Sequence, residues 1–87
     1  MSRDQKLKDR LYEKPRDFTY SELRTLLKSL GCIEDPGGKT SGSRVAFIHL
    51  ETGLILRLHK PHPGNELKEY QVKEVINYIQ NLEANFQ

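Results

Sequence analysis

The 87-residue chain has one cysteine, no tryptophan and no long hydrophobic run. Because a single thiol cannot close a disulfide within the chain, we expect a reducing compartment and interpret Cys32 as a small buried hydrophobe. No apolar run approaches the ~20 residues that a membrane helix needs. The N-terminal sequence also lacks the apolar segment of a secretory signal. These absences predict a cytoplasmic protein that does not bind a membrane.

The sequence also lacks a recognisable metal-binding or nucleophile motif. Its three histidines, His49, His59 and His62, have no accompanying cysteine ligand, and the acidic residues show no metal-binding spacing. We interpret His49 as a packing or hydrogen-bonding residue. Ser43 follows a glycine and precedes an arginine, a setting more typical of a loop hydrogen bond than of a nucleophile. We therefore expect neither a metal ion nor a cofactor.

Net positive charge lies in two parts of the chain, residues 1–16 with six basic and three acidic side chains and the central stretch 38–68. Residues 38–68 carry five lysine or arginine side chains against two glutamates, whereas the flanking segments 17–37 and 69–87 are each net acidic. All three histidines lie in the same central stretch. A cationic, histidine-bearing segment between two acidic ones suggests an anionic ligand.

Two apolar runs in the central stretch, Val45–Leu50 and Leu54–Leu58, are joined by a short turn that contains a glycine. This pattern predicts a β-hairpin. Alternate residues of a strand point in opposite directions, so the second run would turn its leucines to the core and Ile55, Arg57 and His59 to solvent or ligand. The first run alternates less clearly, and its pattern leaves open which face is buried.

Helical signals precede and follow the hairpin. Thr19 and Glu22 form a capping box, which places a helix start at this point. Leucines then recur at helical spacing as far as Gly31, so the pattern predicts a helix over Tyr20–Leu30. A second apolar stripe predicts a helix over Glu69–Ala84.

The remaining segments complete an α+β fold. Cys32–Asp35 reads as a first strand, and Asp4–Tyr12 as a short helix that Pro15 ends. The predicted order is α-β-β-β-α, with a three-stranded antiparallel sheet and helices packed on one face. We expect one domain over residues 18–87 and an N-terminal extension over residues 1–17. The narrow apolar stripe of the extension leaves open whether it docks on the domain.

Several features of the central stretch predict a phosphate-binding surface. Lys39–Arg44 offers backbone amides, three hydroxyl groups and two cations, although its order is not that of the P-loop motif. On its own this segment could equally be a solvated loop, and the nearby cations and histidines strengthen the phosphate interpretation. We expect phosphate contacts from six residues: Lys39, Ser43, Arg44, Arg57, Lys60 and Lys68.

A histidine beside an RNA phosphodiester allows cleavage without a metal ion. The ribose 2′-OH is an internal nucleophile, and a neutral imidazole can take its proton while a cation stabilises charge on the phosphorane. The unperturbed imidazole pKa of about 6.5 suits proton transfer near neutral pH. His62 and His59 are the candidates for this role.

Four features of the sequence resemble the HicA toxins: the run Tyr20–Gly31, the pair Gly42 and Ser43, Phe47 in the second strand, and the run His62–Lys68. These are small bacterial mRNA interferases of type II toxin–antitoxin systems with a double-stranded-RNA-binding-like fold. The resemblance implies an mRNA endoribonuclease, with no DNA target expected for this chain alone. It also implies a HicB-type antitoxin that neutralises the chain by direct binding.

The resemblance covers about Phe18–Leu82 and departs from the family at one position. The family has a histidine, held to be catalytic, directly after the Gly-Ser pair, where this chain has Arg44. Arginine can clamp a phosphate, but its guanidinium has so high a pKa that it stays protonated and cannot act as a base near neutral pH. The resemblance thus favours His62 for proton transfer, with His59 second. The alternatives are an RNA-binding module that does not cleave and a protein-interaction domain without RNA.

Overall fold

A computed structural model describes residues 3–35, 44–61 and 64–85 of the chain. Its elements are, in order, α1 (Arg3–Tyr12), α2 (Tyr20–Ser29), β1 (Cys32–Asp35), β2 (Arg44–His49), β3 (Ile55–His59) and α3 (Glu69–Asn85). The strands form one antiparallel sheet in the order β1-β2-β3, with the helices on one of its faces. The predicted α+β fold is confirmed. No helix in the described ranges is long and apolar enough to cross a membrane.

Helix α2 begins where the capping box predicts. The Thr19 hydroxyl accepts a hydrogen bond from the Glu22 amide at 3.2 Å, and the Glu22 carboxylate accepts one from the Thr19 amide at 3.0 Å. Both amides would otherwise lack an acceptor at the helix start. At the other end, Gly31 has a φ of 94°, a conformation that glycine adopts readily and that terminates the helix.

Thr19→Ala should lower the free energy of unfolding by about 1 kcal/mol, because the third amide of α2 loses its acceptor. Urea unfolding followed by circular dichroism measures the change. Thr19→Ser keeps the hydroxyl and serves as the control, which should retain most of the stability. Equal midpoints for Thr19→Ala and the native chain would show that the cap contributes nothing.

The β2–β3 turn is one residue longer at its start than the sequence pattern predicts. Leu50 belongs to the turn, and the His49 amide donates to the Leu54 carbonyl at 2.9 Å while the Gly53 amide donates to the His49 carbonyl at 2.7 Å. Gly53 has the expected positive φ, 76°. With this turn, Phe47 lies opposite Leu56, and both side chains point into the core.

The helices and the inner face of the sheet share one core. In β2 the inward residues are Val45, Phe47 and His49, which answers the question that the alternation in this strand left open. In β3 the inward residues are Leu56 and Leu58, as predicted. The opposite residues of both strands form a face that no helix of the described chain covers.

Helix α1 packs against α2 and α3. Leu11 is completely buried in the common core. Arg10 places its guanidinium 5.3 Å from the centroid of the Phe18 ring and donates to the carboxylates of Asp17 at 2.7 Å and Glu22 at 2.8 Å. These contacts dock the N-terminal helix on the domain.

His49 lies in the core, where its two ring nitrogens are both engaged, as the packing interpretation predicts. Nε2 is 3.0 Å from the Leu30 carbonyl oxygen, and Nδ1 is 2.9 Å from the Thr52 hydroxyl and 3.3 Å from the Thr52 amide. Because an amide can only donate, Nδ1 accepts and Nε2 donates to Leu30. His49 thereby connects the end of α2 to the β2–β3 turn.

Candidate nucleic-acid interface

The face of the sheet opposite the helices, called here the open face, is built from alternate residues of the three strands. Antiparallel register arranges these residues in cross-strand rows: Ile33–Ile48–Ile55, Asp35–Ala46–Arg57 and Arg44–His59. The first row is the aliphatic end of the face. Arg44, Arg57 and His59 form its cationic end. A depression of about 540 Å³ lies on this face, and its lining includes all three residues of the cationic end together with Ile48 and Ile55 of the first row.

Arg44 and His59 are direct partners across β2 and β3. The Cβ atoms of such partners are typically about 5 Å apart, so the guanidinium and the imidazole can reach one phosphate together. Arg57 lies two residues before His59 and therefore points to the same side of the sheet. All three side chains are exposed. Among the ion pairs of the described residues, none involves either arginine.

Asp35 is a carboxylate on the open face that sequence reasoning did not select. The register places it in the row of Ala46 and Arg57, at the β1 edge, and it also lines the depression. Period-two alternation from Cys32 was the signal that could have placed it on this face. Its charge reduces the positive potential at the β1 edge, so an anion is drawn most strongly to the Arg44–His59 row.

Lys60 and Lys68 are exposed but do not line the depression. The Lys60 ammonium lies 5.8 Å from the centroid of the Tyr20 ring, at the start of α2. Lys68 immediately precedes α3. The structure therefore brings together three of the predicted site residues, Arg44, Arg57 and His59. Lys60 and Lys68 lie apart from them, so only a longer polynucleotide could contact all five.

Three predicted site residues, Lys39, Ser43 and His62, lie outside the described residues, so their roles stay predictions. Within the described ranges, no cluster of three or more histidine, cysteine, aspartate or glutamate side chains could hold a metal ion. The expectation of a metal-free and cofactor-free site also stays a prediction.

Gln71 holds the end of β3 against the start of α3. Its side-chain amide donates to the His59 carbonyl at 2.8 Å, and its side-chain oxygen accepts from the Lys68 amide at 3.0 Å. The side chain is buried, so both bonds are shielded from water. The backbone of His59 is thereby fixed relative to α3. A glutamine three residues after a helix cap is a recognisable capping signal, which the sequence interpretation overlooked.

Two further titratable groups near the sheet, Tyr20 and Cys32, are buried. Burial, and secondarily the hydrogen bond to Glu34, raises the pKa of the Tyr20 phenol well above its ordinary value. Burial likewise raises the pKa of the Cys32 thiol, which agrees with its interpretation as a small hydrophobe. Neither group is suited to proton transfer near neutral pH.

Comparison with protein-family models matches residues 20–80 to the HicA toxin of bacterial toxin–antitoxin systems. The matched segment runs from the first residue of α2 into α3 and includes the whole sheet. Searches among curated proteins and among solved structures gave no match. Since the family model covers well over half of the chain, the protein belongs to the HicA toxin family of bacterial toxin–antitoxin systems.

Proposed function

We propose that the chain is an mRNA endoribonuclease that works without a metal ion in the cytoplasm and is neutralised by a HicB-type antitoxin. The observation that carries this proposal is the cross-strand pair of Arg44 and His59, with Arg57 on the same face. A phosphate clamp beside an imidazole supplies two of the functions that RNA transesterification requires. Membership of a toxin–antitoxin family supports a protein antitoxin as the partner.

In this mechanism Arg44 and Arg57 hold the phosphodiester and stabilise charge on its non-bridging oxygens. The imidazole of His59 or His62 accepts the proton of the 2′-OH while the 2′-oxygen bonds to phosphorus. The bond from phosphorus to the 5′-oxygen breaks, and that oxygen takes a proton from the second histidine or from water. The products are a 2′,3′-cyclic phosphate and a 5′-OH.

Arg44 occupies the position at which HicA toxins have a histidine. The register of β2 and β3 suggests which other histidine could transfer the proton. His59 lies directly opposite on the neighbouring strand, on the same face. The proton acceptor and the phosphate clamp would then occupy paired positions on two strands. In this chain the general base would then be His59 on β3 rather than a histidine directly after the Gly-Ser pair. Arg44, at that position, would strengthen phosphate binding.

Cleavage of single-stranded RNA in EDTA tests the enzymatic proposal. The purified chain should yield 2′,3′-cyclic phosphate ends and should leave RNA with 2′-O-methyl groups intact, because the nucleophile is blocked. His59→Ala should slow cleavage about a hundredfold or more if His59 is the general base. Lys28→Ala, an exposed cation on α2, is the control. Cleavage that requires Mg²⁺ or continues on the methylated RNA would contradict the proposal.

His62→Ala, measured in parallel, decides between the two histidines. A loss of cleavage in His62→Ala with normal rates in His59→Ala would assign the base to His62, as the family resemblance favours. Expression of the native chain without an antitoxin should stop bacterial growth, and the variant that lacks the base should relieve the arrest. Normal growth with the native chain would count against a toxic nuclease.

An RNA-binding chain that does not cleave is the second candidate, and the arginine at position 44 is the observation that favours it. This candidate predicts salt-sensitive RNA binding without cleavage at any protein concentration. Arg44→His would then create cleavage by restoring the residue that the family pattern contains. Absence of RNA binding even at low salt would instead favour a protein-interaction domain.

A further inference from the structure

The aliphatic end of the open face has no role in the proposed chemistry. Ile33, Ile48 and Ile55 are neighbours across the three strands, and we call them the isoleucine row. Ile33 is 46% exposed and Ile55 44% exposed, and Leu50, two residues after Ile48, is 66% exposed. A contiguous apolar surface next to a functional site is typical of a binding surface for another molecule.

The isoleucine row suits a protein better than RNA. Bases stack on aromatic rings and on guanidinium planes, and branched aliphatic side chains provide neither. A protein partner, by contrast, buries aliphatic surface under its own apolar side chains at the centre of an interface. The cationic end continues directly from the row on the same face, so one partner can cover both.

We propose that the isoleucine row is the protein-specific part of the open face, which the antitoxin covers with apolar side chains while its carboxylates bind Arg44 and Arg57. This inference rests on the proposed function, in which an antitoxin neutralises the chain by direct binding. RNA affinity comes chiefly from phosphate contacts at the cationic end, although Ile48 and Ile55 line the same depression. The two arginines are then shared by RNA and antitoxin, which makes their binding mutually exclusive, and the isoleucines belong to the antitoxin alone.

The spacing of the rows specifies the chemistry of the antitoxin segment. Arg57 is two residues from Ile55, and Arg44 is four residues from Ile48. At about 3.3 Å per strand residue, the two arginines lie roughly 7 and 13 Å from the isoleucine row. The antitoxin surface that fits this face therefore has an apolar group to cover the isoleucine row. It also has two carboxylates at about these distances from that group, both on the same side of it. Charges of opposite sign also speed the encounter of the two proteins.

The double variant Ile33→Thr with Ile55→Thr tests the proposal. Threonine is also β-branched and suits a strand, and both positions are partly exposed, so the fold should be retained. The probe is a purified HicB-type antitoxin, titrated against the purified 87-residue chain. We expect its dissociation constant to rise about 30-fold, because two aliphatic contacts are lost. RNA affinity should change less than about twofold, because phosphate contacts dominate it.

Two variants serve as controls for this measurement. Ile33→Val with Ile55→Val keeps the aliphatic surface and should bind the antitoxin nearly as the native chain does. Tyr70→Ser removes an exposed apolar side chain from α3 and should leave both affinities unchanged.

Three results would overturn the proposal. The first is an unchanged antitoxin affinity in the threonine variant. The second is a parallel loss of RNA affinity, which would make the row an RNA surface. The third is a native chain that forms dimers which the threonine variant does not, seen by sedimentation, since the row would then bind a second copy. Antitoxin affinity is measured without any cleavage assay, so failure of the nuclease proposal would be seen separately.

Discussion

Replacing Arg44 and Arg57 together with alanine should weaken the binding of single-stranded RNA roughly tenfold or more and flatten its dependence on salt. Both guanidinium groups lie on the open face, and no ion pair among the described residues competes for them. Each phosphate contact to a single strand contributes about 0.7 to the slope of log affinity against log salt. Loss of two contacts should therefore reduce that slope by about 1.4.

Fluorescence anisotropy with a labelled RNA, between about 50 and 200 mM salt, measures both the affinity and the slope. The matched control replaces Lys6 and Lys28 with alanine, which removes the same charge from exposed positions on α1 and α2. This control should keep nearly the native slope. If both double variants lost affinity equally, net charge rather than the open face would explain RNA binding, and the proposed interface would be wrong.

Local signals in the sequence were sufficient for most of the fold. The capping box of Thr19 and Glu22 and the glycine at position 31 specify both ends of α2 through contacts within a few residues. The hairpin follows from its apolar runs and from Gly53, whose positive φ the structure confirms. Elements of this kind can be predicted because the atoms that stabilise them are close together in the chain.

The inward face of β2 could not be predicted, because it depends on the length of the turn. A turn limited to residues 51–53 would place Leu50 opposite Leu54, whereas the observed turn places His49 opposite Leu54. In a strand, a shift of one residue moves every side chain to the other face. The pairing of Arg44 with His59 depends on the same register. The pairing of Arg44 with His59 in the candidate site was therefore revealed only by the structure.

Long-range contacts account for the rest of what the sequence did not reveal. Leu11 is buried only because α2 and α3 both pack against α1, and its narrow stripe gave no sign of those partners. Gln71 contacts the carbonyl of His59, a partner in another element that helix periodicity does not indicate. The isoleucine row arises from three strands, and each isoleucine alone is an ordinary strand residue.

His49→Ala should lower the free energy of unfolding by about 3 kcal/mol, the largest stability loss predicted here for a single substitution. The imidazole is 2% exposed and bonds to the Leu30 carbonyl and to Thr52, so its removal leaves a cavity and two polar groups without partners. For a domain of this size the melting temperature should fall by about 15 °C. Urea unfolding and thermal unfolding measured by circular dichroism give both values.

Thr52→Val is the matched control for His49→Ala, because it removes one hydroxyl partner of the imidazole and keeps the size of the side chain. It should cost about 1–2 kcal/mol, because the Leu54 amide loses the hydroxyl to which it donates at 3.2 Å while Nδ1 still accepts from the amide of residue 52. RNA affinity of His49→Ala, measured well below its melting temperature, should stay near the native value because the imidazole points into the core. A stable variant with lost RNA binding would reverse this assignment and place His49 among the functional histidines.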